Sequence, residues 1–142
     1  MYLTGSRTHN LDAKMRLTLP ADFRRQFEDK VYLVALPDAV YGFTPEGHKA
    51  WVDSMFPEGY NPRSKRDSDL RLAINARTAM VDIDSAGRVS LSKMDEDVLA
   101  KLGREIEVIG NDDHFELWNA EEWAKQRASF SDEVFNSLLF DE

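Results

Sequence analysis

The chain has 142 residues, 42% hydrophobic and 31% charged, with a net charge of −8, which suits one compact body or two small units sharing a core, because a unit of about 70 residues buries too little alone. Cysteine is absent, which excludes disulfides and thiolate metal sites, and the three histidines (His9, His48, His114) stand in no ligand-type spacing. No apolar run approaches the roughly 20 residues that span a bilayer, and the first residues lack the pattern of an export signal, so the expected location is cytoplasmic.

In chain order, Leu11–Leu19 reads as strand, turn, strand, with Asp12–Met15 as the turn. Pro20 opens a short helix at its first position, running to Phe27 and setting Phe23 and Phe27 on one face. Val31–Leu36 and Tyr41–Thr44 read as strands, followed by a helix from Pro45 to about Met55. Phe56–Tyr60 is loop, and Pro62 to about Arg77 is a charged helix with Leu70 and Ile74 on one stripe. Asp84–Gly87 is a second turn, in which Gly87 can take positive φ without strain. Ser92–Glu96 begins a short helix, Ile106–Ile109 and Phe115–Trp118 are strands, and Asn119 caps a helix to about Arg127, with Glu122 placed for a capping box. From Ser131 to Glu142, Val134, Phe135, Leu138 and Leu139 recur at helical spacing.

These elements repeat. Asn10-Leu11-Asp12-Ala13-Lys14-Met15-Arg16-Leu17-Thr18-Leu19 returns 72 positions later as Asp82-Ile83-Asp84-Ser85-Ala86-Gly87-Arg88-Val89-Ser90-Leu91. Val31–Val34 and Phe43-Thr44-Pro45 ahead of Trp51 are echoed by Ile106–Ile109 and Leu117-Trp118-Asn119 ahead of Trp123. Three echoes in one order mark an internal duplication.

Charge is polarised along the chain. Residues 1–25 and 63–77 each carry +3, whereas residues 92–142 hold five basic and fourteen acidic residues, −9. A phosphate backbone responds to the field within about 8–10 Å, so the basic leading end can meet nucleic acid despite the acidic total. In each Asp-x-x-x-Arg unit the carboxylate can accept hydrogen bonds from turn amides while the Arg starts the returning strand. The same turn can present Lys14 and Arg16 to phosphates or to the O6/N7 edge of guanine. The two copies differ: the first has Lys14 and is followed by Arg24-Arg25, while the second has Ala86 and then Asp95, Glu96 and Asp97. The first is therefore the candidate reading copy and the second its scaffold. Tyr41/Phe43/Trp51 and Phe115/Trp118/Trp123, at strand–turn–helix spacing, read as core rather than base-stacking platforms.

Met1-Tyr2-x-x-Gly5, Leu11-Asp12-x-x-x-Arg16-Leu17-x-Leu19-Pro20, Ile83-Asp84-x-x-Gly87-Arg88-Val89-x-Leu91 and Phe115-Glu116-Leu117-Trp118-Asn119-x-x-x-Trp123, in this order, resemble the bacterial MraZ family over nearly the whole chain. The resemblance implies a mainly β fold with short helices (α+β): a pseudo-two-fold swapped-hairpin, or double-split, β-barrel built from two tandem AbrB-like repeats. The corresponding units are residues 5–48 (the DNA-reading copy), 49–76 (a helical connector), 77–122 (the scaffold copy) and 123–142 (a helical tail). It implies a transcriptional regulator that binds direct repeats of double-stranded DNA in the promoter of its own division and cell-wall operon, represses it, and is nucleoid-associated. It further implies a ring-like homo-oligomer. Carried over by position, Arg16 with Lys14 beside it contacts DNA, joined by Arg7, Arg24 and Arg25. Asp12, Asp84, Gly87 and Arg88 shape the turns. Met15 stands where the family has Gly, so the first turn must avoid positive φ or accept strain.

No membrane association, cofactor, metal or small-molecule substrate is expected. There is no P-loop, G-x-S-x-G or thiol nucleophile, so an enzyme is not expected. The alternative reading is an acidic, homo-oligomeric protein-interaction module without DNA binding, resting on the −9 of the trailing end.

Overall fold

Alternating apolar residues and short turns make strands of this chain, and hydroxyl or amide side chains before polar runs start its longer helices. In the computed structural model, which describes residues 1–141, the order is β1 (Ser6–Asn10), β2 (Arg16–Thr18), α1 (Ala21–Arg24), β3 (Lys30–Ala35), β4 (Val40–Phe43), α2 (Pro45–Ser54), α3 (Lys65–Ala76), β5 (Thr78–Asp82), β6 (Arg88–Ser90), α4 (Glu96–Leu102), β7 (Glu105–Gly110), β8 (Phe115–Asn119), α5 (Ala120–Ala128) and α6 (Asp132–Phe140). The class is α+β, with a mostly antiparallel sheet and short helices.

Several local expectations are corrected. Pro20 is the N-cap of α1 rather than its first residue, and the helix is only four residues long. Ser92–Met94 is a turn, with α4 starting after Asp95. Asn119 Oδ1 accepts from the N–H groups of Glu121 and Glu122, but the Glu122 carboxylate pairs with Lys125 instead of reaching back, so only half of the capping box forms. The tail helix is present from Asp132, capped by Ser131; its expected last residue, Glu142, lies outside the described residues.

The six-stranded sheet runs β1-β7-β8-β4-β3-β5. Each repeat lends its first strand to the other: β1 pairs with β7, and β5 pairs with β3. The registers correspond as well, with Thr8 opposite Glu107 and its repeat-equivalent Met80 opposite Tyr32. Strands β2 and β6 pair with each other as a separate ribbon, and Val89 of β6 also bridges Ile83. Strands β1 and β5 therefore remain the two ends of an open sheet, and the closed barrel is not found among the described residues.

The main core lies between sheet and ribbon, where Leu17, Val89, Phe23, Phe27, Phe115 and Leu117 are buried together. A second cluster, Val34, Phe43, Val52, Phe56 and Ile74, is closed by α2 and α3 over the other sheet face. The later pair, α5 and α6, buries no residue. The halves also pack unequally at the centre. Gly42 faces Phe115 across β4 and β8, and a Cβ at Gly42 would meet the ring of Phe115 at 2.2 Å.

Candidate nucleic-acid interface

The two Asp-x-x-x-Arg units fold into superimposable turns. Asp12 Oδ1 accepts from the N–H groups of Lys14 and Arg16, both at 2.9 Å, and Oδ2 accepts from Arg16 Nε at 2.7 Å. In the second copy Asp84 Oδ1 accepts from Ala86 and Arg88 N–H, both at 2.9 Å, and Oδ2 from Arg88 Nε at 2.8 Å. In each, the N–H three residues after the Asp closes back on its carbonyl. Each carboxyl is held below its ordinary pKa, first by the backbone N–H of the Arg and then by its guanidinium and a turn amide, which outweigh partial desolvation. Both turns need a left-handed residue: Gly87 sits at φ 77° and Met15 at φ 57°. The first turn has thus accepted the strain that glycine avoids.

The turns lead into the ribbon. Leu17 and Val89 face each other on its buried side, so by the two-residue period Arg16, Thr18, Arg88 and Ser90 lie on the opposite face. Arg16 is opposite Ser90 and Thr18 opposite Arg88, which places the two arginines at diagonal corners. Their side chains are 27% and 35% exposed. Each guanidinium is pinned through Nε, and its two Nη groups have no protein partner among the described residues. Lys14 is exposed at the tip of the first turn, where the second has Ala86.

The other expected contacts are distributed differently. Arg7 makes a two-bond pair with Asp22, both bonds at 2.7 Å, and lies over the ring of Phe23. Arg7 thereby ties β1 to α1, and its charge is already matched. Arg24 donates to the carbonyls of Phe27 and Glu28, and its stem runs beside Gly87 of the second turn. Arg25 is exposed at the end of α1. Lys14 and Arg16 are thus brought together on the first turn, Arg24 joins the turn of Arg88, and Arg7 belongs to neither. Thr18 and Ser90 complete this face without having been singled out from the sequence, although Leu17-Thr18-Leu19 and Val89-Ser90-Leu91, an apolar–hydroxyl–apolar triplet in each repeat, carried the signal.

Among the described residues no cluster of His, Asp or Glu suits a metal ion, and no helix is long and apolar enough to cross a membrane. The family model described as "MraZ protein, putative antitoxin-like" matches residues 74–138. The chain is 36% identical to a protein of Corynebacterium urealyticum, over 95% of this chain and 98% of that one. It is 35% identical to one of Corynebacterium jeikeium, over 91% and 89%, and 31% identical to one of Spiroplasma kunkelii, over 87% and 85%. All three carry the name "Transcriptional regulator MraZ". A duplicated Asp-x-x-x-Arg turn, exchanged first strands and relatives matched along almost their full length lead to one statement: the chain belongs to the MraZ family.

Proposed function

We propose that this chain is a transcriptional regulator that binds DNA through the Asp12–Arg16 turn, on direct repeats in the promoter of its own division and cell-wall operon. The observation that carries this reading is the outward ribbon face, where Asp12 fixes Arg16 through Nε and leaves both Nη groups open beside exposed Lys14. A guanidinium held in place loses less side-chain freedom when it makes two parallel bonds to guanine or phosphate. The relatives named as transcriptional regulators support the same reading. In it, residues 5–48 and 77–122 form a swapped-hairpin body with 49–76 as connector. The Arg88 turn serves as support, and repression takes place in the cytoplasm at the nucleoid.

One turn buries little surface, so useful affinity needs several copies held at the spacing of the repeats. The tail supplies a joining surface: Phe135, Leu138, Leu139 and Phe140 are exposed on α6. We infer a ring-like homo-oligomer joined there. Leu138→Asp should reduce the mass measured by light scattering and weaken binding to repeated sites far more than to a single site. Arg16→Ala should weaken promoter binding in a mobility-shift titration by about 10- to 100-fold, with the assembly intact, whereas Arg88→Ala should change it less than about 3-fold. Equal losses would overturn the division into reader and scaffold. A binding constant that does not fall with salt would remove the phosphate contacts.

The exposed apolar tail on an acidic end also favours the alternative, a protein-interaction module without DNA binding. Retention on heparin at low salt separates the two, since the module should flow through.

A further inference from the structure

The two Asp-x-x-x-Arg turns share their hydrogen bonds and differ in what stands beside their left-handed residue. Leu91 N–H donates to the Met15 carbonyl and Leu19 N–H to the Gly87 carbonyl, both at 2.9 Å, so each turn is tied to the other copy. Gly87 brings no side chain of its own. A Cβ there would meet Cδ and Cγ of Arg24, at 3.7 and 3.8 Å. That stem is itself held elsewhere, since Arg24 Nη1 donates to the carbonyls of Phe27 and Glu28.

A shift of 75 positions carries Phe23 to Val98 and Arg24 to Leu99. The place that a charged stem takes beside Gly87 therefore falls, beside Met15, to an apolar residue of α4. Met15, Val98 and Leu99 are all half-buried and packed against the main core. The first turn thus sends its own side chain into the body, whereas the second only borrows a neighbour's. Met15 stays at φ 57° although Gly87 shows that the same bonds form without a side chain. A strained backbone persists where its surroundings over-determine it, and the surroundings that set Met15 apart are apolar contacts. An unbranched thioether chain suits such a seat, because it fits irregular gaps.

We propose, on the reading of Arg16 as the DNA contact, that Met15 is the positioning residue of the reading turn. Its side chain, seated on the main core beside Leu99, holds Arg16 in one place. Arg16 follows Met15 directly, and both its N–H and its Nε donate to Asp12. With the seat filled, Asp12, Met15 and Arg16 move as one rigid piece. Without it the turn samples several backbone states, and each binding event must first order the guanidinium. The anchor also gives the two copies unequal roles, because Arg88 follows a glycine with no such hold.

The experiment uses the full chain with Met15→Gly, Met15→Leu and Leu99→Ala. Hydrogen exchange at the Arg16 amide is read by NMR, melting by calorimetry and promoter affinity by mobility shift. Met15→Gly removes the strain together with the anchor, so the melting temperature should stay within about 4 °C of the parent. Exchange at Arg16 N–H should nevertheless quicken about 10-fold, and promoter affinity should fall about 3- to 10-fold. Met15→Leu refills the seat and should restore both. Leu99→Ala trims the seat from the other copy and should quicken the same amide. Exchange at Arg16 unchanged in Met15→Gly or in Leu99→Ala would overturn the proposal, whether or not DNA is bound. So would faster exchange with undiminished affinity, or losses that Met15→Leu fails to restore. A parent chain that binds no promoter DNA while the exchange results hold would instead remove the DNA reading and leave the anchor in place.

Discussion

Met15 and Gly87 occupy equivalent places at φ 57° and 77°, so the same turn is built once with strain and once without. At Gly87 a Cβ would find only Arg24 carbons and nitrogen at ordinary contact, the nearest at 3.7 Å. Gly87→Ala therefore isolates the backbone term and should lower the unfolding free energy by about 1 kcal/mol, with the denaturant m-value unchanged. Gly42 is a glycine for a different reason. Its backbone is unremarkable, but an added Cβ would penetrate the ring of a fully buried Phe115. Gly42→Ala should cost about 3 kcal/mol by overpacking, and Phe115→Leu in the same chain should recover part of that loss. Additive losses in the double variant would mean that the two residues do not share this space.

The turn between β7 and β8 holds a buried ionic group that spacing alone did not reveal. His114 bonds Asp113 at 2.8 Å and Glu116 at 2.9 Å, while Asn111 and Trp118 also donate to Glu116. The Tyr41 ring stacks on His114 at 4.5 Å. Desolvation pulls the His114 pKa down, but hydrogen bonds to Glu116 and Asp113 outweigh it, and the net shift is upward. Its stabilisation is therefore complete below the ordinary value of about 6.5 and is lost as pH rises through the higher folded value. His48, lowered by burial, acts oppositely: its contribution falls as pH drops below about 6.5. Chemical denaturation should show stability declining from about pH 6.5 upward, and His114→Gln should flatten that limb. A slope unchanged in His114→Gln would assign the loss to another group. Local chemistry made the turns, the buried positions of Phe43 and Phe115 and most helix starts legible. Tyr41 and Trp51, by contrast, only flank the second cluster, and Trp118 and Trp123, expected in the core, stay half-buried outside both clusters. Strands β1 and β5 were not legible, because Ser6–Asn10 is almost wholly exposed and Thr78–Asp82 mixes half-buried, buried and exposed positions, so neither shows a clean alternation. They are strands because the opposite repeat offers an unpaired edge. The place of Arg24 was hidden for a similar reason, since its neighbour Gly87 comes from the other copy.

Exchange of first strands means that neither repeat owns a complete sheet. Fragment 1–76 keeps β3 and β4 but loses the partners of β1 and of the far side of β4; fragment 77–142 loses the matching partners. The equivalent registers would allow each fragment to pair with a second copy of itself, so packing must decide. In the intact chain Val40 faces Leu117 and Gly42 faces Phe115 across the centre. A pair of first fragments would instead set Val40 against Gly42 twice, leaving the volume of two large side chains empty. A pair of second fragments would set Phe115 against Leu117 twice, with no glycine to receive the ring. Cavity and overpacking each cost several kcal/mol, whereas the mixed pair restores the native fit. Each fragment alone should therefore give a weak far-ultraviolet signal without a cooperative melt, and mixing them should regain both in a 1:1 complex. A fragment that melts cooperatively by itself would show that its repeat is a self-sufficient unit. In that case the complementary volumes at Gly42 and Phe115 would not be what holds the two copies in one chain.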